Sequence, residues 1–66
     1  MNKSLKDIRE ENNLTQEQLA KKAGLTYKAY WNIETGKSDP KLSTLINIAK
    51  ALNIKTADLI NSITLH

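Results

Sequence analysis

Side chains that cap helices recur along this chain, each in front of a short stretch of apolar residues at helical spacing. Ser4 is followed three residues later by Asp7, and Thr15 by Gln18, which is the pattern of a capping box at the start of a helix. Thr26 offers a third hydroxyl cap. No stretch shows the sustained alternation of β-branched residues that predicts a strand. The sequence therefore predicts an all-α fold built from short helices.

The predicted helix ends follow at equally short intervals. Gly24 and Gly36 suit the left-handed residue that closes many helices. The most strongly amphipathic segment ends near Asn53, and Thr56 can cap a last short helix. We therefore predict five short helices, the second of only about two turns.

These helices depend on one another, because isolated helices shorter than about 12–15 residues are marginal in water. Their apolar faces must converge on one core. A chain of 66 residues is near the lower size limit for independent folding, so we predict a single domain over residues 1–66. The predicted core consists of Leu5, Ile8, Leu19, Ala20, Leu25, Tyr30, Ile33, Leu42, Leu45, Ile46, Ala49 and Leu52.

Composition excludes several classes of protein. Cysteine is absent and the single histidine is the last residue, His66, which excludes disulfides, zinc fingers and cysteine nucleophiles. We expect no metal and no other cofactor. No apolar run approaches the length of a transmembrane helix, about 20 residues, and no signal-peptide core follows Met1. We therefore expect a cytoplasmic protein with no membrane partner.

The formal net charge of +3 is unevenly distributed. Residues 21–41 contain five lysines against two carboxylates, whereas residues 1–20 contain three basic side chains against four acidic ones. An asymmetry of this kind favours a charged partner. A solvated, lysine-rich face would have the same composition. Charge by itself leaves both interpretations open.

A short connector joins the second and third predicted helices. It consists of Ala23-Gly24-Leu25, and a connector of this length that contains glycine is typical of a helix-turn-helix motif. Ala20 is small where the two helices would cross, and Gly24 can adopt the positive φ of the turn. The local sequence thus predicts a helix-turn-helix at helices two and three.

Four motifs then occur in order along the chain. They are Leu5-Lys6-Asp7-Ile8-Arg9-Glu10-Glu11, Leu14-Thr15-Gln16-Glu17-Gln18-Leu19-Ala20, Ile33-Glu34-Thr35-Gly36-Lys37, and Asp39-Pro40 followed by Leu42, Leu45, Ala49 and Leu52. Together they resemble the phage repressor/Cro-type helix-turn-helix family, also called Xre-like. The resemblance covers about 56 of the 66 residues, from Leu5 to Ile60. It implies a compact five-helix, lambda-repressor-like DNA-binding domain.

In this family the third helix lies in the major groove, and the second crosses above it over the phosphates. The resemblance therefore implies a recognition helix over residues 26–34. Tyr27, Lys28 and Asn32 occupy its base-facing positions. Lys28 can donate to guanine, and Asn32 can pair with adenine. Tyr27 can place its ring against a thymine methyl or its hydroxyl on a phosphate. The alternative for all three is an ordinary exposed helix position.

The same mapping implies contacts with the DNA backbone, which position a protein without reading sequence. Gln16 stands where the family has a phosphate-contacting glutamine, and ordinary N-terminal capping is compatible with that role. Trp31 departs from the family pattern. We expect it to pack on the sugar-phosphate backbone, with shielding of the start of the second helix as the alternative. The predicted backbone contacts are Thr15, Gln16, Thr26, Trp31, Thr35 and Lys37.

Arg9 and Glu34 match a structural ion pair of the family, in which an arginine on the first helix pairs with the glutamate that ends the recognition helix. The pair is expected to fix the groove helix against the scaffold. Removing one partner of a buried pair costs about 3–5 kcal/mol.

Two further positions depart from the family pattern. Tyr30 is expected in the core, with its hydroxyl reaching the surface or a phosphate. Lys41 stands where the family often has a capping serine. Ser38 or Asp39 is therefore the predicted cap of the fourth helix.

The resemblance implies a sequence-specific transcriptional regulator of double-stranded DNA, such as a repressor or a restriction-modification or phage-type controller. One such module contacts only ~600–1,000 Å² of DNA, so we expect a homodimer on a palindromic operator. The predicted dimer interface is Ile60, Ile63 and Leu65, although Leu59 and Ile60 can instead close the core.

An antitoxin-like protein-interaction module that autoregulates its operon is the alternative, and it would need a toxin-binding extension. An enzyme is not expected, because the sequence contains no Ser-His, Cys-His or HExxH arrangement. No small-molecule ligand is expected either.

Overall fold

A computed structural model describes residues 3–64, the last two of them as backbone only. Over this range the chain forms five helices and no strand, which confirms the predicted all-α class. The second helix packs against the third and fourth, and the fifth packs against the fourth and first. The helices are α1 (Leu5–Glu11), α2 (Gln16–Lys22), α3 (Tyr27–Glu34), α4 (Leu42–Leu52) and α5 (Thr56–Thr64).

The predicted caps begin the first three helices. The hydroxyls of Ser4 and Thr15 each accept from the backbone N–H three residues further on, at 3.1 Å. In return, the side chains of Asp7 and Gln18 accept from the backbone N–H of the two capping residues. Thr26 caps α3 with its hydroxyl in the same way. The capping pattern of the sequence therefore fixes where α1, α2 and α3 begin.

Two other predicted caps are wrong. No side chain of the described residues caps α4, so neither Ser38 nor Asp39 has that role. Lys41 occupies the cap position with extended backbone alone. Thr56 is the first residue of α5 and not its cap. The carbonyl of Lys55 already accepts from the Leu59 N–H at 3.2 Å, so the hydrogen-bonding pattern of the helix begins one residue before Thr56.

The first four helices end with the same backbone motif. The left-handed residues are Asn13, Gly24, Gly36 and Asn53, with φ between 57° and 80°. The next residue donates its N–H to the carbonyl five positions earlier, at 2.8–3.2 Å, as in a Schellman motif. After α1, α2 and α4 that next residue is Leu14, Leu25 or Ile54, each packed against the core. After α3 it is the exposed Lys37.

Among the residues whose side chains the structure describes, the core contains ten buried apolar residues, from all five helices and the end of α2. The prediction that Leu42 belongs to the core is wrong. Burial increases along the apolar side of α4, from Leu42, which is 61% exposed, to Leu52, which is 1% exposed. Ile48 is completely buried and was not predicted, whereas Ile46 is half-buried. The core residues are Leu5, Ile8, Leu19, Ala20, Ala23, Tyr30, Ile48, Ala49, Leu52 and Leu59.

Candidate nucleic-acid interface

A buried carboxylate fixes the C-terminal end of α3. Arg9 of α1 donates from Nε to Glu34 Oε1 at 2.7 Å, and the two side chains are only 9% and 5% exposed. Arg9 also donates from Nη1 to the backbone carbonyl of Leu14 at 2.7 Å. The expected pair between Arg9 and Glu34 is thus formed, and it also holds the segment in front of α2.

Two more side chains donate to the same carboxylate. The Tyr30 hydroxyl donates to Glu34 Oε1 at 2.8 Å, and Gln16 Nε2 donates to Oε2 at 2.5 Å. The prediction that the Tyr30 hydroxyl reaches the surface or a phosphate is therefore wrong, because Tyr30 is completely buried and its proton is committed to Glu34. We call Arg9, Gln16, Tyr30 and Glu34 the Glu34 cluster. It joins α1, α2 and α3.

The environment of the Glu34 cluster fixes its protonation state. Burial on its own raises the pKa of the Glu34 carboxyl, but the hydrogen bonds from Arg9, Gln16 and Tyr30 outweigh burial and hold that pKa below its ordinary value. Burial, and then the bond to Glu34, raise the pKa of the Tyr30 phenol. At neutral pH the carboxylate is therefore ionised while the phenol keeps its proton.

A hydrogen bond extends the Glu34 cluster to the outer face of α3. The Tyr27 hydroxyl donates to Gln16 Oε1 at 3.1 Å, and Tyr27 is 48% exposed. A phenol has one proton, so while this bond is kept the Tyr27 hydroxyl can only accept from a further group. This connection was not predicted from the sequence. The signal available was the placement of Gln16 and Tyr27 at the starts of the two helices of the helix-turn-helix.

Three exposed threonines predicted to contact the DNA backbone differ in what their hydroxyls can still do. Thr15 and Thr26 accept from backbone N–H groups as caps, which leaves each hydroxyl proton free to donate. Thr35 donates to the backbone carbonyl of Trp31 at 2.7 Å. Its proton is therefore already used within the last turn of α3.

The outer face of α3 brings an aromatic ring and two lysines together. The Nζ atoms of Lys37 and Lys28 lie 4.6 and 5.8 Å from the centroid of the half-buried Trp31 indole. Both distances are within the range of a cation–π interaction. We call Lys28, Trp31 and Lys37 the Trp31 cluster. Asn32, the remaining predicted base contact, is half-buried beside it in sequence.

The positive charge of the helix-turn-helix region is not cancelled locally. Between residues 3 and 64 the side-chain ion pairs are Lys3 with Glu11 and Arg9 with Glu34, and both involve α1. The five lysines of residues 21–41 form no ion pair with a carboxylate in this part of the chain. Their charge is therefore available to an anion outside the protein.

The apolar residues near the C-terminus have different positions. Leu59 is completely buried, which confirms that it closes the core. Ile60 is half-buried on α5. Leu65 and the side chain of Ile63, the other members of the predicted dimer interface, lie outside the described residues.

Comparison with known proteins adds to this geometry. A family model described as helix-turn-helix matches residues 5–59. The chain is 44% identical over 59 residues to an uncharacterized HTH-type transcriptional regulator of Methanocaldococcus jannaschii, which covers 89% of either protein. It is 43% identical over 61 residues to the immunity repressor protein of Bacillus phage phi105, covering 92% of this chain and 42% of that protein.

A further relative is the control protein C.SmaI of Serratia marcescens, 40% identical over 57 residues, which cover 86% of this chain and 68% of that protein. The chain therefore spans most of the archaeal relative but less than half of the phage repressor.

The fold, the α2–α3 arrangement and these matches define a DNA-binding class of transcriptional regulators. Within that class, the chain belongs to the Xre-like helix-turn-helix family, the phage repressor/Cro type. Among residues 3–64, none of the helices has the length and apolar character needed to cross a membrane.

Proposed function

We propose that this chain regulates transcription by binding a palindromic operator as a homodimer, with residues 26–34 in the major groove. The observation that carries the proposal is the division of charge at α3. Glu34 is buried and paired, whereas Lys28 and Lys37 are exposed and form no ion pair with a described carboxylate. A face of this kind attracts a polyanion. Relatives named as an immunity repressor and a control protein support a regulatory role.

Three side chains are proposed to read bases. Lys28 donates to O6 and N7 of guanine, and Asn32 pairs with N6 and N7 of adenine. Tyr27 places its ring beside a thymine methyl. Because its hydroxyl donates to Gln16, that oxygen is restricted to accepting from the amino group of adenine or cytosine.

The DNA backbone is proposed to be held from both helices. Gln16 uses one Nε2 hydrogen on Glu34 and has a second for a phosphate oxygen. Lys37 supplies a charge, and Thr15 and Thr26 each have a hydroxyl proton to donate. Thr35 is the weakest of the proposed contacts, because its proton is already bonded to a carbonyl.

The sequence also predicts a backbone contact for Trp31. Its half-buried indole leaves part of the ring on the outer face of α3, near the ammonium groups of Lys28 and Lys37.

Dimerisation is proposed because a single module of this size contacts too little DNA for strong discrimination, ~600–1,000 Å². Two copies would read half-sites one helical turn apart. Ile60, Ile63 and Leu65 are the proposed interface. Sedimentation equilibrium tests this part directly: we expect a dimer at high micromolar concentration, and a monomer throughout would contradict it.

The experiment that tests DNA recognition is selection of binding sites from random duplex DNA. We expect enrichment of a palindrome with half-sites about 10 base pairs apart, and an affinity that falls steeply with salt as counterions are released. Lys50→Ala on α4 is the matched control for variants that remove an interface lysine, because it removes one exposed lysine that lies outside the proposed contacts. Failure to enrich any sequence would overturn the proposal and favour an antitoxin-like protein-interaction module.

A further inference from the structure

We propose that Trp31 is a positioning residue whose indole holds Lys28 and Lys37 in a preset arrangement before DNA is bound. The inference rests on the proposed function, because it assumes that the outer face of α3 meets DNA. It gives Trp31 an action through the two lysines of the Trp31 cluster, in place of direct packing on the sugar-phosphate backbone.

The first observation is that the backbone of Lys37 is held in place at the end of α3. Gly36 is left-handed at φ 80°, and the Lys37 N–H donates to the Asn32 carbonyl at 2.8 Å. In a Schellman motif, the residue at this position often makes an apolar contact with a side chain in the last turn of the helix, including the position that Trp31 occupies. In α3 the ammonium of Lys37 lies 4.6 Å from the Trp31 ring and takes the place of that contact.

The contrast with the other helices strengthens this interpretation. After α1, α2 and α4 the equivalent residue is aliphatic and packs against the core. After α3 it is a lysine, directed to an exposed face and held there by an aromatic ring. The same backbone motif that elsewhere anchors an apolar side chain here presents a cation.

The second observation is that Lys28 reaches the same ring from the other direction along the helix. It lies three residues before Trp31, so the two side chains are neighbours on the surface of α3. Its Nζ is 5.8 Å from the ring centroid. One indole therefore sets the relative position of a proposed base-reading lysine and a proposed phosphate-binding lysine.

The third observation is that the ring is neutral. A carboxylate at this position would order the lysines but cancel their charge, whereas the face of an indole attracts ammonium groups and leaves their charge intact. Neither lysine forms an ion pair within residues 3–64. Two ammonium groups near one ring also repel each other, and the negative potential of DNA relieves that repulsion.

Ordering a long side chain on binding opposes association, and ordering it beforehand removes part of that penalty. We expect loss of the ring to weaken DNA binding by about two- to tenfold for each lysine, on the usual scale of such ordering. The number of charges is unchanged by this loss. The slope of log K against log salt should therefore also be unchanged.

The Trp31 cluster can be tested in the free protein, because Trp31 is the only tryptophan. We expect Lys37→Ala to change the emission of Trp31 and its quenching by acrylamide, and Lys28→Ala to change them less, since Lys37 is the closer lysine. Lys50→Ala is the control and should change neither. Identical emission and quenching in all three variants would overturn the proposal without bearing on DNA binding.

The DNA arm uses the sequence obtained from site selection. We expect Trp31→Leu to weaken binding with an unchanged salt slope, and Trp31→Phe, which keeps an aromatic face, to weaken it less. In a Lys28→Ala, Lys37→Ala background, Trp31→Leu should have no further effect. A loss of the same size in that background would mean direct packing on DNA, and would overturn the proposal.

Thermal melts of each variant, followed by circular dichroism, show whether the variant is folded. If Trp31→Leu does not fold, the comparison of Trp31→Phe in the two backgrounds decides the same question. If no duplex is enriched at all, the proposed function fails while the fluorescence result still stands.

Discussion

The Glu34 cluster and the Trp31 cluster lie on the same helix and handle charge in opposite ways. In the first, a carboxylate that is only 5% exposed accepts from an arginine, a glutamine and a tyrosine. In the second, two exposed lysines share a neutral ring. Charge is neutralised on the side of α3 that faces the scaffold and is retained on the side proposed to face DNA.

This difference separates what holds α3 in place from what α3 presents. A buried pair is sensitive to loss of either partner, because the remaining charge is left without compensation in a poorly solvated place. An exposed cation–π contact contributes only about 0.5–1 kcal/mol. The two clusters should therefore respond very differently to substitution: the first through stability, the second through binding.

The largest effect is expected from Glu34→Ala. It leaves the buried Arg9 guanidinium without its carboxylate and should lower the free energy of unfolding by about 3–5 kcal/mol. Urea denaturation followed by circular dichroism measures the change. Glu17→Ala, which removes an exposed carboxylate from α2, is the control and should change stability little. A loss below 1 kcal/mol for Glu34→Ala would show that the Glu34 cluster does not anchor α3.

Acid should reproduce part of that loss. The folded-state pKa of Glu34 lies below its ordinary value of 4.5, so its contribution is fully present above that value and disappears as pH falls through the lower folded pKa. The stability difference between the wild type and Glu34→Gln should therefore shrink below about pH 4.

The pKa of Asp7 is also lowered, by the hydrogen bonds at Ser4, but Asp7 is present in both proteins and its effect cancels in that comparison. Urea midpoints between pH 2.5 and 7 give the measurement, and a difference that stays constant with pH would contradict the assignment.

Tyr30 leads to a corresponding prediction for stability at alkaline pH. Its raised pKa means that stability should fall as pH rises above the ordinary value of 10.0.

Substitution of either lysine in the Trp31 cluster should leave stability nearly unchanged and act on DNA binding. Lys28→Ala should cost about 1–3 kcal/mol on the preferred operator and relax the base preference at one position. Lys37→Ala should weaken binding to all sequences alike and reduce the salt slope by about one. Binding to operator variants at several salt concentrations separates the two. Equal losses across all variants from both substitutions would contradict the proposed roles.

The smallest effect is expected from Lys3→Ala. Lys3 and Glu11 are 2.7 Å apart, the same distance as Arg9 and Glu34, but their side chains are 58% and 52% exposed. An exposed pair of this kind contributes about 0.2–1 kcal/mol. Urea denaturation at low and high salt gives the measurement. A loss as large as that of Glu34→Ala would show that distance, and not burial, decides the strength of these pairs.

Features governed by neighbouring residues were predictable from the sequence. The capping boxes at Ser4 and Thr15 and the left-handed Gly24 depend on residues within one helical turn, and all three are found in the structure. The pairing of Arg9 with Glu34, 25 residues apart, was expected only because the chain resembles a known family.

Features that depend on which neighbour covers a side chain were not predictable in the same way. Leu42 has the correct helical spacing for the core but is exposed, because the first turn of α4 is left uncovered. Tyr30 and Glu34 are four residues apart on α3, a spacing at which two side chains can meet, but whether the phenol reached the surface depended on its burial. The Trp31 cluster required knowing that the motif after Gly36 directs Lys37 back over the helix.

The Glu34 cluster has a consequence for how proteins of this kind diverge. Because α3 is fastened by Arg9, Tyr30 and Glu34 from inside, a residue such as Lys28 on its outer face contributes little to folding. Lys28 can therefore be replaced during evolution without loss of the folded state. Under the base-reading role proposed for Lys28, single substitutions at this position would change the preferred operator while the Glu34 cluster keeps α3 in place.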